Sequence, residues 1–556
     1  MTDDVTIKLL APEIVLIGIA TLIYLAGAFA RPGFRPLGFA LLGLFGAAVA
    51  MLATRDLSGG MLAYPPETML SGPLVMDLFG HTARWGILIA GGLLVLLADR
   101  PREERQAAEY TGSLLLIIAG LMLAATANDL VLLFMGLELV SIPTYVVLYL
   151  GKRGPAAQEA TTKYFFLSVL SSAVLLYGFS FLYGLGGSSR LDIIAGALRE
   201  QYAEAGSLGP FASVALILVF AALAFRLAAV PFHFYAPDVF HGTSNANAGL
   251  LSTLPKAAGL VVLIRLLLGA MPGIEPLAWK LALVVSVLTM TLGNVVALWQ
   301  SNIRRLLAYS SIAHAGYMLI GLSVGLAQVA IAPSAEPQEA IGVNGIGTAL
   351  FYLAVYAVAT LGTFAALAYL STERKSVDDL DELAGLSQTH PFIAGAIAVF
   401  MFSLAGIPPL AGFWGKFALF SGTIDLGAPV GGDWTELQQW FFALAIIGVA
   451  NAAIAAAYYL RIVATMYFRS PETAAAPVPA ARPAGVRQEP EPALATAMAL
   501  VLVIGMGIFP GRVIDVSDAA GAAVSAATPI HVGESLRDSA SLLEETRPRG
   551  AAGEAQ

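Results

Sequence analysis

Residues 224–240 read AFRLAAVPFHFYAPDVF, an apolar stretch that nevertheless carries Arg226, His233, Asp238 and the prolines Pro231 and Pro237. A lipid-facing helix has no partner for a guanidinium or for carbonyls freed by proline, because hydrocarbon offers no hydrogen bonds. The stretch therefore predicts a helix broken inside protein. Its freed carbonyls and His233 would line a wet cavity, with Arg226 as a fixed positive charge.

The rest of the chain has the composition that such a helix needs. Hydrophobic side chains make up 58% of the 556 residues and charged ones 12%, and the mean hydropathy is +0.77. That balance is far from a soluble protein's. Apolar runs long enough to cross ~30 Å of hydrocarbon recur along the length and do not alternate as barrel strands do. The fold class is an all-α polytopic membrane protein of about 14 transmembrane helices, centred near residues 20, 45, 87, 118, 140, 172, 220, 256, 288, 318, 358, 408, 453 and 501.

The acidic start MTDDVTIKLLAPEIVLIGIA lacks the basic flank of a secretory signal, so the first apolar run reads as a retained span. Arg31, Arg35, Arg100, Arg102, Arg105, Lys152, Arg153, Arg304, Arg305, Arg374, Lys375 and Arg469 fall in alternate connections. The intervening ones at 125–130, 332–340 and 425–437 hold no Lys or Arg. By the positive-inside bias the cationic side is cytoplasmic, which puts both termini outside. The organisation reads as N-terminal helices over 1–105, a first repeat over 106–270 and a second over 271–470. A Pro/Ala-rich linker (471–492), a last span (493–511) and a flexible tail (512–556) follow. A faint echo supports the repeats: RLAAVPFHFY (226–235) and SLAGIPPLAGFW (403–414) align with Pro231 on Pro408. Paired broken helices are the sequence pointer to a transport pathway.

Ionisable side chains at membrane depth form a series. Glu138 lies about nine residues past Asp129, ~13 Å along its helix. Lys163 lies two turns past Pro155 on the next, antiparallel span, so the natural expectation is a Glu138–Lys163 ion pair; the alternative is a pair that only ties two helices together. Lys256 follows Ser252 and Pro255 in LLSTLPKAAGLVVLI. Lysine stripped of water can surrender its proton, whereas arginine in practice cannot. His314 has Ser310 and Tyr317 on its own helix face, as a relay group or as a satisfied core histidine. Lys416 follows the second proline break by eight residues. Together Glu138, Lys163, Arg226, His233, Lys256, His314 and Lys416 have the character of a proton relay. The histidines are too scattered for a metal site, and the absence of cysteine rules out thiolate-held clusters within the chain. A net charge of −8 leaves no nucleic-acid footprint.

LELVSIPTYVVL, ATTKYFFLSVLSS, AFRLAAVPFHFYAPDVF, LSTLPKAAG, RLLAYSSIAHAGYML and LAGIPPLAGFWGKF resemble the antiporter-like membrane subunits of respiratory complex I, over roughly residues 65–470. Lysine in FWGKF matches the type with lysine rather than glutamate there. The resemblance implies two inverted five-helix repeats, each with a broken helix, and proton translocation coupled to quinone reduction by an NADH:quinone oxidoreductase. It implies no redox chemistry, cofactor or metal in this chain. Flavin, iron-sulfur clusters and quinone belong to partner subunits, and the partners are other membrane-arm subunits and the lipid bilayer. Glu138 and Lys163 would form a gating pair, Lys256 the central carrier, His233 and His314 links, and Lys416 the exit-side carrier. The chain departs from the pattern at Arg226, where lysine is usual, and at FHGTSNANAG (240–249), where His241 and the two asparagines could reshape the cytoplasmic mouth. A subunit of a multi-subunit cation/proton antiporter and a non-pumping structural subunit are the competing readings.

Overall fold

In the computed structural model, the described residues are 2–29, 34–55, 69–98, 103–331, 343–371, 377–428, 435–470 and 490–526. Nearly all are helical. The chain starts with α1 (Thr2–Leu9), α2 (Ala11–Ala28) and α3 (Leu37–Arg55), and then forms a two-stranded hairpin of β1 (Met69–Ser71) and β2 (Leu74–Met76). Next come α4 (Leu78–Leu97), α5 (Glu104–Ala125), α6 (Leu130–Leu150), α7 (Pro155–Gly186), α8 (Leu191–Ala205), α9 (Pro210–Leu227), α10 (Ala236–Gly242) and α11 (Asn245–Gly269). The second half comprises α12 (Glu275–Ala297), α13 (Ile303–Ile331), α14 (Gly345–Leu370), α15 (Leu386–Thr389), α16 (Pro391–Ala405), α17 (Ala411–Gly427), α18 (Glu436–Phe468), α19 (Glu491–Ile508) and α20 (Pro510–Ala526).

Among the described residues, 12 helices are long and apolar enough to span a bilayer, and Leu37–Ala53 and Pro391–Ala405 are shorter apolar helices. The centre expected near residue 408 falls in the gap between α16 and α17 rather than in a helix. The tail expected to be flexible from residue 512 is helical as far as Ala526, because α20 finds a surface to bury against α14. Gly521 and Gly347 let the two backbones meet there: a Cβ on Gly521 would come within 2.4 Å of the Gly347 nitrogen. Most of the linker (471–489), the end of the tail (527–556), and Arg31, Arg100, Arg102, Arg374 and Lys375 lie outside the described residues.

The centre of the bundle is α11, α13 and α14, which are enclosed almost throughout, while α7, α18 and α19 present long apolar faces outward. Small residues set the close approaches, since apolar burial gives little preference between neighbouring helices and lipid. A Cβ on Gly293 would sit 2.6 Å from the Ala313 nitrogen, and one on Gly316 would sit 2.6 Å from the Met290 nitrogen, so α12 and α13 pack backbone to backbone. Two buried ion pairs tie the N-terminal helices to this core. Arg84 meets Glu13 at 2.5 Å, and Arg265 holds Asp77 while donating to the Ala125 carbonyl at 2.6 Å.

Candidate functional site: buried cations on two broken helices

Both proline-marked regions are helix breaks, and their backbones match residue for residue. At the end of α9, Ala228 takes a left-handed conformation (φ 55°). Its N–H donates to the Phe225 carbonyl, and the next N–H, of Ala229, reaches back to Ala224 at 2.8 Å. At the end of α16, Gly406 is left-handed (φ 90°). Its N–H donates to the Ser403 carbonyl, and the Ile407 N–H reaches Phe402 at 3.0 Å. Each is a Schellman ending. The structural match pairs Ala228 with Gly406 and Pro231 with Pro409, one residue out of step with the sequence echo, which set Pro231 on Pro408. Backbone conformation sets the register, and the repeated Leu-Ala misled the alignment. Pro237 does not break anything; it occupies the first turn of α10, where a missing N–H costs nothing.

A helix that stops inside the bundle leaves carbonyls without partners and a partial negative charge at its end. In both breaks a buried lysine answers that charge. Lys256, on α11 and 1% exposed, donates from Nζ to the carbonyl of Leu227, the last residue of α9. Lys416, on α17 and 4% exposed, donates to the carbonyls of Leu404 and Ala405 at 2.9 and 3.0 Å, the last two of α16. Gly259 admits the first contact. One turn beyond Lys256, it brings α11 so near α9 that a Cβ would lie 3.1 Å from the Leu223 carbonyl.

Arg226 lies one residue before that carbonyl and is buried. It donates to Ser141 Oγ at 2.8 Å and reaches Ser172 Oγ at 3.4 Å and Glu138 Oε1 at 3.5 Å, while Ser172 donates to Glu138 at 2.6 Å. The expected Glu138–Lys163 pair does not form. Lys163 binds Asp238 of α10 at 2.8 Å and Glu159 at 2.7 Å. Helical side chains lean toward their own N-terminus, so on the consecutive helices α6 and α7 the two lean apart. Glu138 swings toward Ser172 and Arg226, and Lys163 toward the cation-rich side. There Asp238 also receives Arg305 at 2.9 Å, while Arg304 meets Asp378 at 2.7 Å. Asp238 stands in the quoted stretch, yet its role as the bridge between α7, α10 and α13 depends on contacts with Lys163 and Arg305 that no sequence spacing reveals.

His314 sits at the centre in a cage of tyrosines. Its Nδ1 hydrogen-bonds the Tyr352 hydroxyl at 2.7 Å and its Nε2 the Tyr459 hydroxyl at 2.8 Å, and Tyr459 also meets Ser310. The Tyr356 ring lies 4.7 Å from the imidazole. Lys416 and Lys256 are both near enough to act on it electrostatically, and the Lys416 ammonium lies 5.0 Å from the Tyr317 ring centroid. Tyr317 in turn accepts from Asn294 at 3.3 Å, and Asn294 joins Tyr458 and Asn451. The sequence reading singled out none of Tyr352, Tyr356, Tyr459, Asn294 or Asn451; buried tyrosines read as core aromatics until their hydroxyls are seen to converge. His233 stands apart from this group. It occupies the partly exposed turn of the first break, with Nδ1 buried and without a hydrogen-bond partner. Its expected place among the buried links is not where the fold puts it, because α9 ends at Leu227 and the turn after it faces outward.

Among the described residues no group of three or more His, Asp or Glu is placed to hold a metal ion. What the arrangement offers chemically is two enclosed amines and, in the same core, an imidazole hydrogen-bonded to phenols, all groups able to donate and accept protons. Residues 127–431 match the family described as NADH:quinone oxidoreductase/Mrp antiporter, transmembrane. NADH-quinone oxidoreductase subunit N of Rhodospirillum rubrum is 35% identical over 460 residues, 82% of this chain and 87% of that one. A chain of respiratory complex I from Thermus thermophilus with bound aureothin superposes with a TM-score of 0.68 at 28% identity, covering 91% of this chain and 99% of that one. A chain of the Mrp complex from Dietzia shares the fold, with a TM-score of 0.74 at 20% identity over 94% and 97%. With the family match spanning more than half its length, the chain belongs to the antiporter-like transmembrane subunits of NADH:quinone oxidoreductases and Mrp antiporters.

Proposed function

We propose that this chain is the subunit N type of a complex I-like NADH:quinone oxidoreductase and moves protons across a bacterial inner membrane, driven by quinone reduction in partner subunits that carry the flavin and iron-sulfur clusters. The observation that carries the reading is the pair of enclosed lysines, each on the carbonyl end of a half-helix, with His314 between them. An ammonium in low dielectric costs several kcal/mol to hold, and the half-helix terminus offsets part of that cost. Loss of its proton weakens either amine's hold on the carbonyls, so proton release and the end of the half-helix are coupled. Lys256 acts as the central carrier, His314 with Tyr352 and Tyr459 as the link, and Lys416 as the exit-side carrier. Arg226 stays charged and serves as a fixed potential beside Lys256, balanced by Glu138. Lys163, with Asp238 and Arg305, holds the cation-rich end of α10, the cytoplasmic end in this topology. The two breaks are the centres of two inverted five-helix repeats, and both termini are periplasmic.

The test is Lys256→Ala in the assembled complex. Proton pumping and coupled quinone reduction are expected to fall by roughly tenfold or more, a barrier increase of about 1.4 kcal/mol or more; full pumping in that variant refutes the assignment. Co-purification of flavin and iron-sulfur partners separates this reading from a cation/proton antiporter, which has neither.

A further inference from the structure

We infer that protons reach Lys256 along the seam between α11 and α14, with Thr360 as its inner hydroxyl and Phe364, packed over Gly249, as the dry plug across it. The inference rests on the proton-transfer reading above. Among the described residues, the buried hydroxyl and side-chain amide atoms that lack a well-formed hydrogen bond are Thr243 Oγ1, Asn245 Oδ1 and Thr360 Oγ1, the last within loose reach of the Tyr356 hydroxyl, and all three lie on this seam or at its mouth. Each such atom is destabilising unless water or a moving neighbour satisfies it.

At the cation-rich end Asn245, the first residue of α11, donates to Ser371 Oγ just past α14 at 3.1 Å. The rim there carries Asp238, His241, Lys152, Arg304 and Asp378. Asn245 and Thr243 are 5% and 2% exposed, and their unpaired oxygens point to a hydrated pocket behind the rim. Two turns inward along α11 lies Ser252, ~10 Å away. It faces the Tyr356 hydroxyl, with Thr360 beside it. Tyr356 donates to Ser311 of α13 at 2.8 Å and its ring packs on His314, while Lys256 lies one turn beyond Ser252. Polar groups thus occupy both ends of the seam. Between them, a Cβ on Gly249 would lie 3.3 Å from Phe364 Cβ and 3.4 Å from Leu361 Cδ2, so this level is closed by apolar atoms. A proton crosses when Phe364 yields, and the Thr360 hydroxyl receives the water that brings it.

The experiment uses the full complex in inside-out vesicles, with the cation-rich face outside. Thr360→Val keeps the shape and removes the hydroxyl. Pumping is expected to fall on the order of tenfold, more steeply as external pH rises and protons become scarce, and Thr360→Ser restores it. Thr363→Val is the control, because the Thr363 hydroxyl is already spent on the Ala359 carbonyl at 2.8 Å. Wild-type rate and pH profile in Thr360→Val, or an equal loss in Thr363→Val, overturns the route. If Thr360→Val does not assemble, Asn245→Leu replaces it and must show the same steepening with pH. Lys256→Ala, run alongside, separates the two levels: loss there with normal pumping in Thr360→Val removes only the seam, whereas full pumping in Lys256→Ala removes both.

Discussion

The two breaks solve one problem with different parts. In each, a half-helix ends on a Schellman turn and a lysine ammonium covers its carbonyls. In the first, the half-helix beyond the turn is 7 residues long and the lysine comes from the next helix, α11. In the second, the half-helix beyond is 17 residues long and carries the lysine itself. Both turns expose their prolines, Pro231 in the first and Pro408 and Pro409 in the second, but they are held differently. The first is anchored by hydrogen bonds, the Val230 N–H on Thr289 Oγ1 at 3.0 Å and the Tyr235 hydroxyl on Phe225 at 3.0 Å, and the second by close backbone approach, with Gly412 against the Ser403 carbonyl and Gly507 against Pro409. What recurs is the requirement for a cation at a buried helix C-terminus; which residue meets it is left to whichever helix passes within reach.

Substitutions at the breaks test this contrast. The largest effect is expected from Gly412→Ala, where the new Cβ would come within 1.8 Å of the Ser403 carbonyl oxygen. A backbone clash that close forces the two halves apart, at a cost on the order of 3 kcal/mol. Thermal melting of the assembled complex should show the loss, and an unchanged melt would mean that close approach does not hold the second break. Next come Lys256→Arg and Lys416→Arg, which keep a cation for the carbonyls but one that does not release its proton. Assembly is expected to persist while pumping drops roughly tenfold or more. Normal pumping in either would assign that lysine to capping alone.

The smallest effects lie at the left-handed positions. Ala228 holds φ 55° with a side chain, a strain of about 1–2 kcal/mol that glycine escapes, less what glycine loses in the unfolded chain. Ala228→Gly should therefore be neutral or raise stability by up to about 1 kcal/mol, whereas Gly406→Ala should lower it by about that much and press on Lys416, whose Cδ lies 2.9 Å from the new Cβ. If both substitutions move stability the same way, the two turns are not equivalent.

The helical bundle and the interior placement of Arg226, Lys256, His314 and Lys416 were legible because hydropathy and charge act locally. A run of ~20 apolar residues can satisfy its backbone in lipid only as a helix, and a charge within such a run must turn inward. The broken helices were legible for the same reason, through their prolines. The Glu138–Lys163 pair was misread because spacing gives height along an axis but not the direction a side chain leans. His233 was placed among the buried residues because the sequence says where a helix stops and not which way the following turn faces.

By itself the sequence settled the chemistry available: which segments are helices, where they must break, and that lysines and a histidine lie deep among them. Tertiary structure alone decided the partnerships. It put Lys256 on the end of α9, Glu138 with Arg226, Lys163 with Asp238, and the hydroxyls of Tyr352 and Tyr459 on His314. The physical reason is that burial of a segment is an additive property of its own residues, whereas a hydrogen bond requires two groups, often a hundred residues apart, to meet within ~3 Å, and only the packing of all the helices sets that distance.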